Sequence, residues 1–266
     1  MRPADAIVEV AGAALGLASE VSGTVVDAGE AAREWLGRRV VVPRLLPCGD
    51  CEHCRRGRVA SCASATVRGA LERTQAVPAR WLTSVEPPLW PEGAELWQLA
   101  ALADAALAPY TALARAGVGP SDRVAVVGAS ERDARARFAR ALVAAKGAKL
   151  VDDATDGAIV VATQPRDWAH ALAAAAPGVT IALLDGDGAA ASVTDWPRLV
   201  AAEAHVLGVV GGHPDLLPEL VALVVRGQLP LAGAVRRVSA AEAEAARAAY
   251  AAEGGPLPIV VPAAAA

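Results

Sequence analysis

Cys48 to Cys62 reads C-G-D-C-E-H-C-R-R-G-R-V-A-S-C and holds all four cysteines of the chain, spaced C-x2-C-x2-C-x7-C. Two thiolates two residues apart can turn onto one ion, and the second pair completes the tetrahedron of sulfurs that Zn²⁺ accepts in a closed structural site. Arg55, Arg56 and Arg58 follow the third cysteine, where positive charge favours thiolate and offsets a four-thiolate centre. Two disulfides or four free thiols are the alternatives. Disulfides between cysteines this close in sequence would be strained, and clustered cysteines without a secretion signal read as metal-binding. The reading is one structural zinc held by Cys48, Cys51, Cys54 and Cys62, with His53 a solvated loop residue because four sulfurs already fill the site.

Outward from this loop, the chain of 266 residues suits one large or two medium domains and needs no disulfide for stability. A formal charge of −4 and an aromatic content of 3% argue against a nucleic-acid partner, since there is little basic surface and little on which bases could stack. The hydrophobic fraction is inflated by alanine, and no run approaches about 18 strongly apolar residues, so no membrane partner is expected. The N-terminal residues show no basic stretch leading into an apolar core. A cytoplasmic, reducing setting is the expectation.

Residues 5–10 and 21–27 are rich in β-branched residues and read as strands, as do Arg39 to Val42 and Gln75 to Pro78. From Ala94 to Gly117 the texture turns to alanine and leucine at helical spacing, with Pro109 an expected break. Arg123 to Val127 (R-V-A-V-V) has the apolar character of a buried parallel strand, followed by Gly128 and an expected helix from Glu131 to Lys146. Further strands are expected at Ala158–Ala162, Val179–Leu184 and His205–Val210, with helices at Pro165–Ala176 and Pro214–Gly227 between them. That alternation implies a parallel α/β sheet. A helix over Ala240–Glu253 and a strand over Leu257–Val261 complete the pattern.

These residues carry a resemblance. The four-cysteine loop, E-V-S-G-T-V-V-D-A-G-E at Glu20–Glu30, L-A-D-A-A-L-A-P-Y-T-A-L from Leu102, and G-P-S-D-R-V-A-V-V-G at Gly119–Gly128 resemble the zinc-containing medium-chain alcohol dehydrogenases. The segment from Arg198 to Leu220 fits the last third of such enzymes. The wording around Val40–Arg58 is similar to the 6-hydroxycyclohex-1-ene-1-carbonyl-CoA dehydrogenase branch, which oxidises cyclic hydroxyacyl-CoA thioesters. The resemblance implies an α/β protein: a GroES-like β-rich domain from 1–105 and 236–266, carrying the zinc lobe at 48–62, and a reduced Rossmann-like domain at 106–235. It further implies hydride transfer between NAD or NADP and an alcohol. The family pairs its nucleotide domains edge to edge, so a homodimer through an edge strand at His205–Val210 is expected.

The departures from the family pattern bear on activity. In the family a second, catalytic zinc is held by a cysteine, a histidine and a third cysteine or aspartate, and polarises the alcohol oxygen. Those positions fall here on Gly16 and Ser19, and the loop between them is reduced to Leu17 and Ala18. Glu20 and Asp104 alone remain as vestigial candidates, and one or two carboxylates make a poor zinc site. A structural carboxylate is the favoured reading of Glu20 over a catalytic base, and a helix-end or packing residue that of Asp104. In the nucleotide-binding stretch V-V-G-A-S-E-R-D-A, Gly128, Ala129 and Ser130 are the candidate cofactor contacts, while Ser130, Glu131 and Asp133 stand at glycine positions. Ser130 with Asp133 resembles a capping box. A carboxylate about 6 Å from a phosphate repels it by roughly 3 kcal/mol at an effective dielectric of about 20. Weak or absent NAD(P) binding is therefore expected. Only thirty residues lead from Gly128 to Ala158, so one strand-helix element of the usual sheet is expected to be missing, and Asp152 or Asp153 is a weak candidate for the ribose-binding acid. Three readings stand: an active oxidoreductase, a zinc-free reductase (which needs the glycine loop), and an inactive member acting as a binding or regulatory module, perhaps with an active relative.

Overall fold

The computed structural model of the chain describes residues 2–15, 19–67, 72–85, 94–128, 133–163, 167–173, 176–184 and 196–262. β1 (Asp5–Leu15), β2 (Ser19–Ala28) and β3 (Arg39–Val42) form an antiparallel meander. Two short strands, β4 (Leu45–Leu46) and β5 (Thr66–Val67), pair separately, and β6 (Thr74–Pro78) and β7 (Thr83–Ser84) return to the main sheet. At eleven residues, β1 is long enough to take two partners besides β2: β6 along Asp5–Glu9, and near Ala13–Ala14 a strand from the other end of the chain, β14 (Leu257–Val260). β13 (Val235–Val238) lies parallel to β14 at the edge. The sheet is seven-stranded, in the order β13-β14-β1-β2-β3-β7 with β6 on β1. Its apolar face buries Val8, Val21, Val25, Val40 and Val77, which alternate along the strands with more exposed positions as period two requires.

The second sheet is parallel throughout. β8 (Arg123–Val127), β9 (Lys149–Val151), β10 (Ile159–Ala162), β11 (Thr180–Leu184) and β12 (His205–Val209) run in the order β12-β11-β10-β8-β9. The chain starts in the middle, steps one strand outward to β9, then crosses back over β8 and fills the other side. This is the doubly wound pattern in which three strands on each side would be usual. Among the described residues the β9 side is one strand short, as the thirty-residue interval foretold. β12 is the edge strand on the far side, with Val206 45% exposed.

The helices are α1 (Glu52–Arg55), α2 (Leu107–Arg115), α3 (Ala134–Ala145), α4 (Trp168–Ala173), α5 (Trp196–Ala201), α6 (Leu217–Val225) and α7 (Ala243–Glu253). α2 sits between the sheets, and every residue from Leu107 to Leu113 is buried. Pro109 does not break this segment. A proline inside an α-helix collides with the carbonyl four residues back, here Ala105. The chain answers with a π-turn over Leu102–Ala106 that leads straight into α2. Widening one turn removes the collision without ending the helix.

The helix after β8 is shorter than expected, and its cap differs. Asp133 itself is the N-cap of α3: its Oδ1 accepts from Ala136 N at 3.1 Å. The expected box assigned Asp133 to the third helical position and the cap to Ser130, which lies outside the described residues. An aspartate caps as well as a serine does, so pattern alone could not choose between them.

Candidate metal centre and interdomain site

β4 and β5 close a lobe on Leu45↔Val67 and Leu46↔Thr66, and the cysteines lie within it. Gly49 turns the chain between Cys48 and Cys51 with φ +79°, a left-handed conformation that favours glycine. The lobe is tied to the sheet from outside: Arg80 Nη2 donates to Cys48 O at 2.7 Å, and Trp81 Nε1 to Pro47 O at 3.1 Å. Cys62 is buried and the other three cysteines are half-buried.

The four Sγ atoms all lie within 4.8 Å of one another. Cys51 and Cys54 are 3.5 Å apart and Cys48 and Cys54 4.0 Å. A tetrahedron with Zn–S bonds of about 2.3 Å has edges of about 3.8 Å, so these sulfurs stand where zinc requires them. All four cysteines are free, which sets aside the disulfide alternative. Backbone N–H groups also point at sulfur, Cys51 N at Cys48 Sγ and Cys48 N at Cys62 Sγ, both at 3.4 Å. Backbone hydrogen bonds from Asp50, and then Cys51, hold the Cys48 thiol down to about 6, while desolvation pushes Cys54 up to about 12. The lobe is thus ready to lose one proton easily, and a bound cation would drive off the others.

The neighbouring arginines do less for the sulfurs than expected. Arg55 Nη1 donates to Asp50 O at 2.6 Å and Arg56 pairs with Glu52 at 2.7 Å, both on exposed surface. Helix α1 directs their side chains along its own face, so backbone N–H groups supply the bonds to sulfur. His53 is exposed, as expected of a residue outside the ligand set.

Among the described residues, no second group of three or more His, Cys, Asp or Glu side chains gathers as the four cysteines do. Glycine offers no donor and a serine hydroxyl is a poor zinc ligand. Gly16 lies outside the described residues, and of Ser19 only the backbone is described, opposite Leu15 in the β1–β2 ladder. Glu20 is 2% exposed. It lines a small cavity of about 40 Å³ together with Pro43, Arg44, Leu107 and Arg135. Arg44 and Arg135 were not anticipated. Arg135 is a buried guanidinium in the first turn of α3, within the run R-A-R-F at 135–138. Asp104 falls in the π-turn; its side chain is outside the described set.

At the crossover between β8 and β10, where sheets of this type bind ligands, the chain's own atoms take up the space. A Cβ built on Gly128 would meet Ala136 Cβ at 2.8 Å and Thr163 Oγ1 at 2.9 Å. Gly128 therefore serves close packing of α3 on the sheet. Asp133, 1% exposed, puts a carboxylate on the first turn of that helix, where a pyrophosphate would otherwise accept the N–H groups. Ala129 and Ser130 lie outside the described residues. Of the two acids after β9, Asp153 accepts from Thr155 N and Oγ1 at 2.8 and 2.7 Å, bonds that lower its pKa, and is thereby committed to its own turn. Asp152 is exposed. The described residues fit one tetrathiolate zinc, and at the head of α3 the Asp133 carboxylate occupies the Ala136 N–H.

A β domain with a four-cysteine lobe, joined to a doubly wound parallel sheet, is the architecture to be compared with known folds. Residues 4–87 match the alcohol dehydrogenase GroES-like domain. Across 98% of this chain and 92% of theirs, the fold is similar to a thermostable alcohol dehydrogenase from Pyrobaculum aerophilum, with TM-score 0.82 and 19% identity. Alcohol dehydrogenase TADH from Thermus sp. ATN1 superposes with TM-score 0.79 at 18% identity, covering 99% of this chain and 94% of that one. Galactitol-1-phosphate dehydrogenase from Escherichia coli does so at 0.80 and 15%, over 98% and 94%. The chain thus carries a segment matching the alcohol dehydrogenase GroES-like domain, and its whole fold is similar to that of solved alcohol dehydrogenases.

Proposed function

We propose that the chain is an alcohol dehydrogenase-family protein in which hydride transfer between NAD(P) and an alcohol or cyclic hydroxyacyl-CoA is lost or strongly reduced. What remains is a zinc-stabilised binding or regulatory module. The observation that carries this reading is the head of α3, where the buried Asp133 carboxylate caps the N–H groups that a dinucleotide needs. The identity of Gly16 and Ser19, which offer neither imidazole nor thiolate where the resemblance expects zinc ligands, also supports it.

Titrating the purified protein with NADPH and following nucleotide fluorescence tests this directly. No saturation is expected at micromolar concentrations; a clear micromolar Kd would restore the oxidoreductase reading. That second reading is favoured by one observation, the buried Glu20 at the seam between the sheets, which would then act as the base.

The division into 1–105 with 236–266 and 106–235 belongs to the same proposal, supported by the sheet membership of β13 and β14. So does a homodimer paired through β12, or assembly with an active relative, supported by the exposed Val206 on that edge strand. No helix among the described residues is long and apolar enough to cross a membrane. A cytoplasmic setting is proposed on the four free thiols.

A further inference from the structure

A separate cleft of about 660 Å³ opens between the cysteine lobe and the parallel sheet. Its lobe side is the chain 56–61, immediately after α1. Its other side is the C-terminal end of β12 with Arg115, the last residue of α2, and His213. The volume falls in the range of ordinary small-molecule sites, roughly 300–1,000 Å³.

Among the side chains facing this space, guanidinium groups outnumber carboxylates. Arg115 spends only Nη1, on Gly208 O at 2.7 Å, which anchors the side chain and leaves its other N–H groups available. The Arg58 guanidinium makes no hydrogen bond or ion pair with the described residues, while its backbone is held by His53 O and Ser61 N. His213 is fixed twice: its N–H donates to Thr111 Oγ1 at 2.9 Å, and its Nδ1 accepts from Asp215 N at 3.4 Å. Nδ1 also stands 3.8 Å from Asp215 Oδ2, so Asp215 orients the ring. Nε2 faces the lobe, 3.9 Å from where a Cβ on Gly57 would stand. Asp215 is the one carboxylate in the lining, and Arg56 is already paired with Glu52. The remaining surface is apolar, from Val59, Val209 and Leu216.

We propose that this cleft binds a small organic anion, a phosphate- or carboxylate-bearing molecule with an apolar body. Arg58 and Arg115 hold the anionic group, His213 Nε2 faces it, and the valines and Leu216 cover the body. Guanidinium groups suit this task because their planar N–H pairs match phosphate and carboxylate oxygens. With Arg58 and Arg115 set against the Asp215 carboxylate, the charge of the lining favours an anion over a neutral or cationic ligand. This site is distinct from the head of α3 and does not depend on hydride transfer, so it stands whether or not the protein binds NAD(P).

Titration calorimetry on the full, zinc-loaded chain tests it, with benzyl phosphate, benzoate and benzyl alcohol as probes. One or both anions should give a saturable isotherm that weakens as salt rises, and the comparison between them tells phosphate from carboxylate as the preferred group. Benzyl alcohol should bind at least about tenfold more weakly, the loss expected when a charged hydrogen bond is forgone. Arg58→Glu, on the exposed lobe surface, should weaken the anion by about tenfold or more while keeping zinc content unchanged. Arg115→Gln should weaken it likewise and guards against an accident of one variant. Binding of neither anion, equal binding of benzyl alcohol, or unaltered affinity in both variants would overturn the proposal.

Discussion

Within the cysteine lobe, four sulfurs converge within 4.8 Å with backbone N–H groups turned toward them, and the space between them suits one ion. At the head of α3, a carboxylate has moved onto the N–H groups, and Ala136 and Thr163 close over Gly128. Both regions would hold a cofactor in a protein of this fold. The difference teaches that the two cofactors answer to different needs. The lobe is short of regular structure, with a four-residue helix and two two-residue strands, and has little core of its own, so an ion bound there would hold it. The α/β unit has a core of Phe138, Leu142, Val161 and Leu184 that involves no ligand. A structural metal would support the fold of its lobe, whereas a cofactor for chemistry can be gained or lost while such a core persists.

The largest effect expected from this contrast is on metal. Purified protein should carry one zinc per chain by elemental analysis, and Cys51→Ser should release it. Structural zinc contributes about 10–16 kcal/mol of apparent binding free energy at neutral pH, so the ion should survive dialysis. Its loss should raise hydrogen exchange from Pro47 to Ala63 and leave Val124–Val127, in the middle of the parallel sheet, protected. Two zincs per chain would break the comparison, because Glu20 and Asp104 would then have recruited a further ligand. Global unfolding of the Cys51→Ser protein would show that the lobe supports more than itself.

How far the sequence disclosed all this follows from how local each signal is. The cysteine spacing is local, and its geometry came out as read. The apolar runs of β3, β8 and β12 were likewise legible, because a buried parallel strand or a sheet's core face is written in consecutive residues. β13 was not: V-R-R-V buries only its two ends and reads as a polar turn, and it is a strand because β14 lies beside it. β9, three residues with Lys149 and Leu150 exposed, likewise depends on β8. Pro109 misled for the opposite reason, since the remedy lies one turn upstream in the π-turn. The burial of Arg135 and the half-burial of Arg44 were invisible because they come from residues distant in sequence that line one cavity, which no window of sequence contains. The same holds for the arginine-lined cleft, assembled from the lobe, α2 and β12.

A smaller effect bears on the head of α3. Gly128→Ala would press a methyl into Ala136 and Thr163, and overpacking of this kind costs about 1–3 kcal/mol, measurable by urea denaturation. Were Gly128 instead lining an open dinucleotide cradle, the substitution would leave stability unchanged. Asp133→Ala should cost about 1 kcal/mol through loss of the cap. Asp133→Ser keeps a capping oxygen and removes the charge, so it separates the two roles of the residue. Stability should be largely retained, and NADPH should bind no worse than to the parent. If Asp133→Ser brings saturable NADPH binding, the charge alone had excluded the cofactor.

The smallest effect supplies the calibration. Glu242 performs the same anionic capping at the entry to α7, far from any crossover: its Oε2 accepts from Ser239 N at 2.9 Å and Ser239 Oγ at 2.7 Å. The backbone N–H of Ser239 first, and then its hydroxyl, hold the Glu242 pKa below the ordinary carboxylate value. A carboxyl depressed in the folded state stabilises fully above its unfolded pKa and loses that contribution as pH falls through the lower folded pKa. Ser239→Ala removes the hydroxyl and leaves the backbone donor, so the Glu242 pKa should rise part of the way back, read by NMR titration of its side-chain carboxyl carbon. The Tm deficit of Ser239→Ala should accordingly be larger at neutral pH than in acid, where Glu242 is protonated in both proteins and only the loss of the serine cap remains. An unmoved Glu242 titration would mean the hydroxyl bond is not made in solution. A Tm deficit as large as that of Asp133→Ala would mean that burial adds nothing to capping by a carboxylate, and the head of α3 would then be an ordinary helix start.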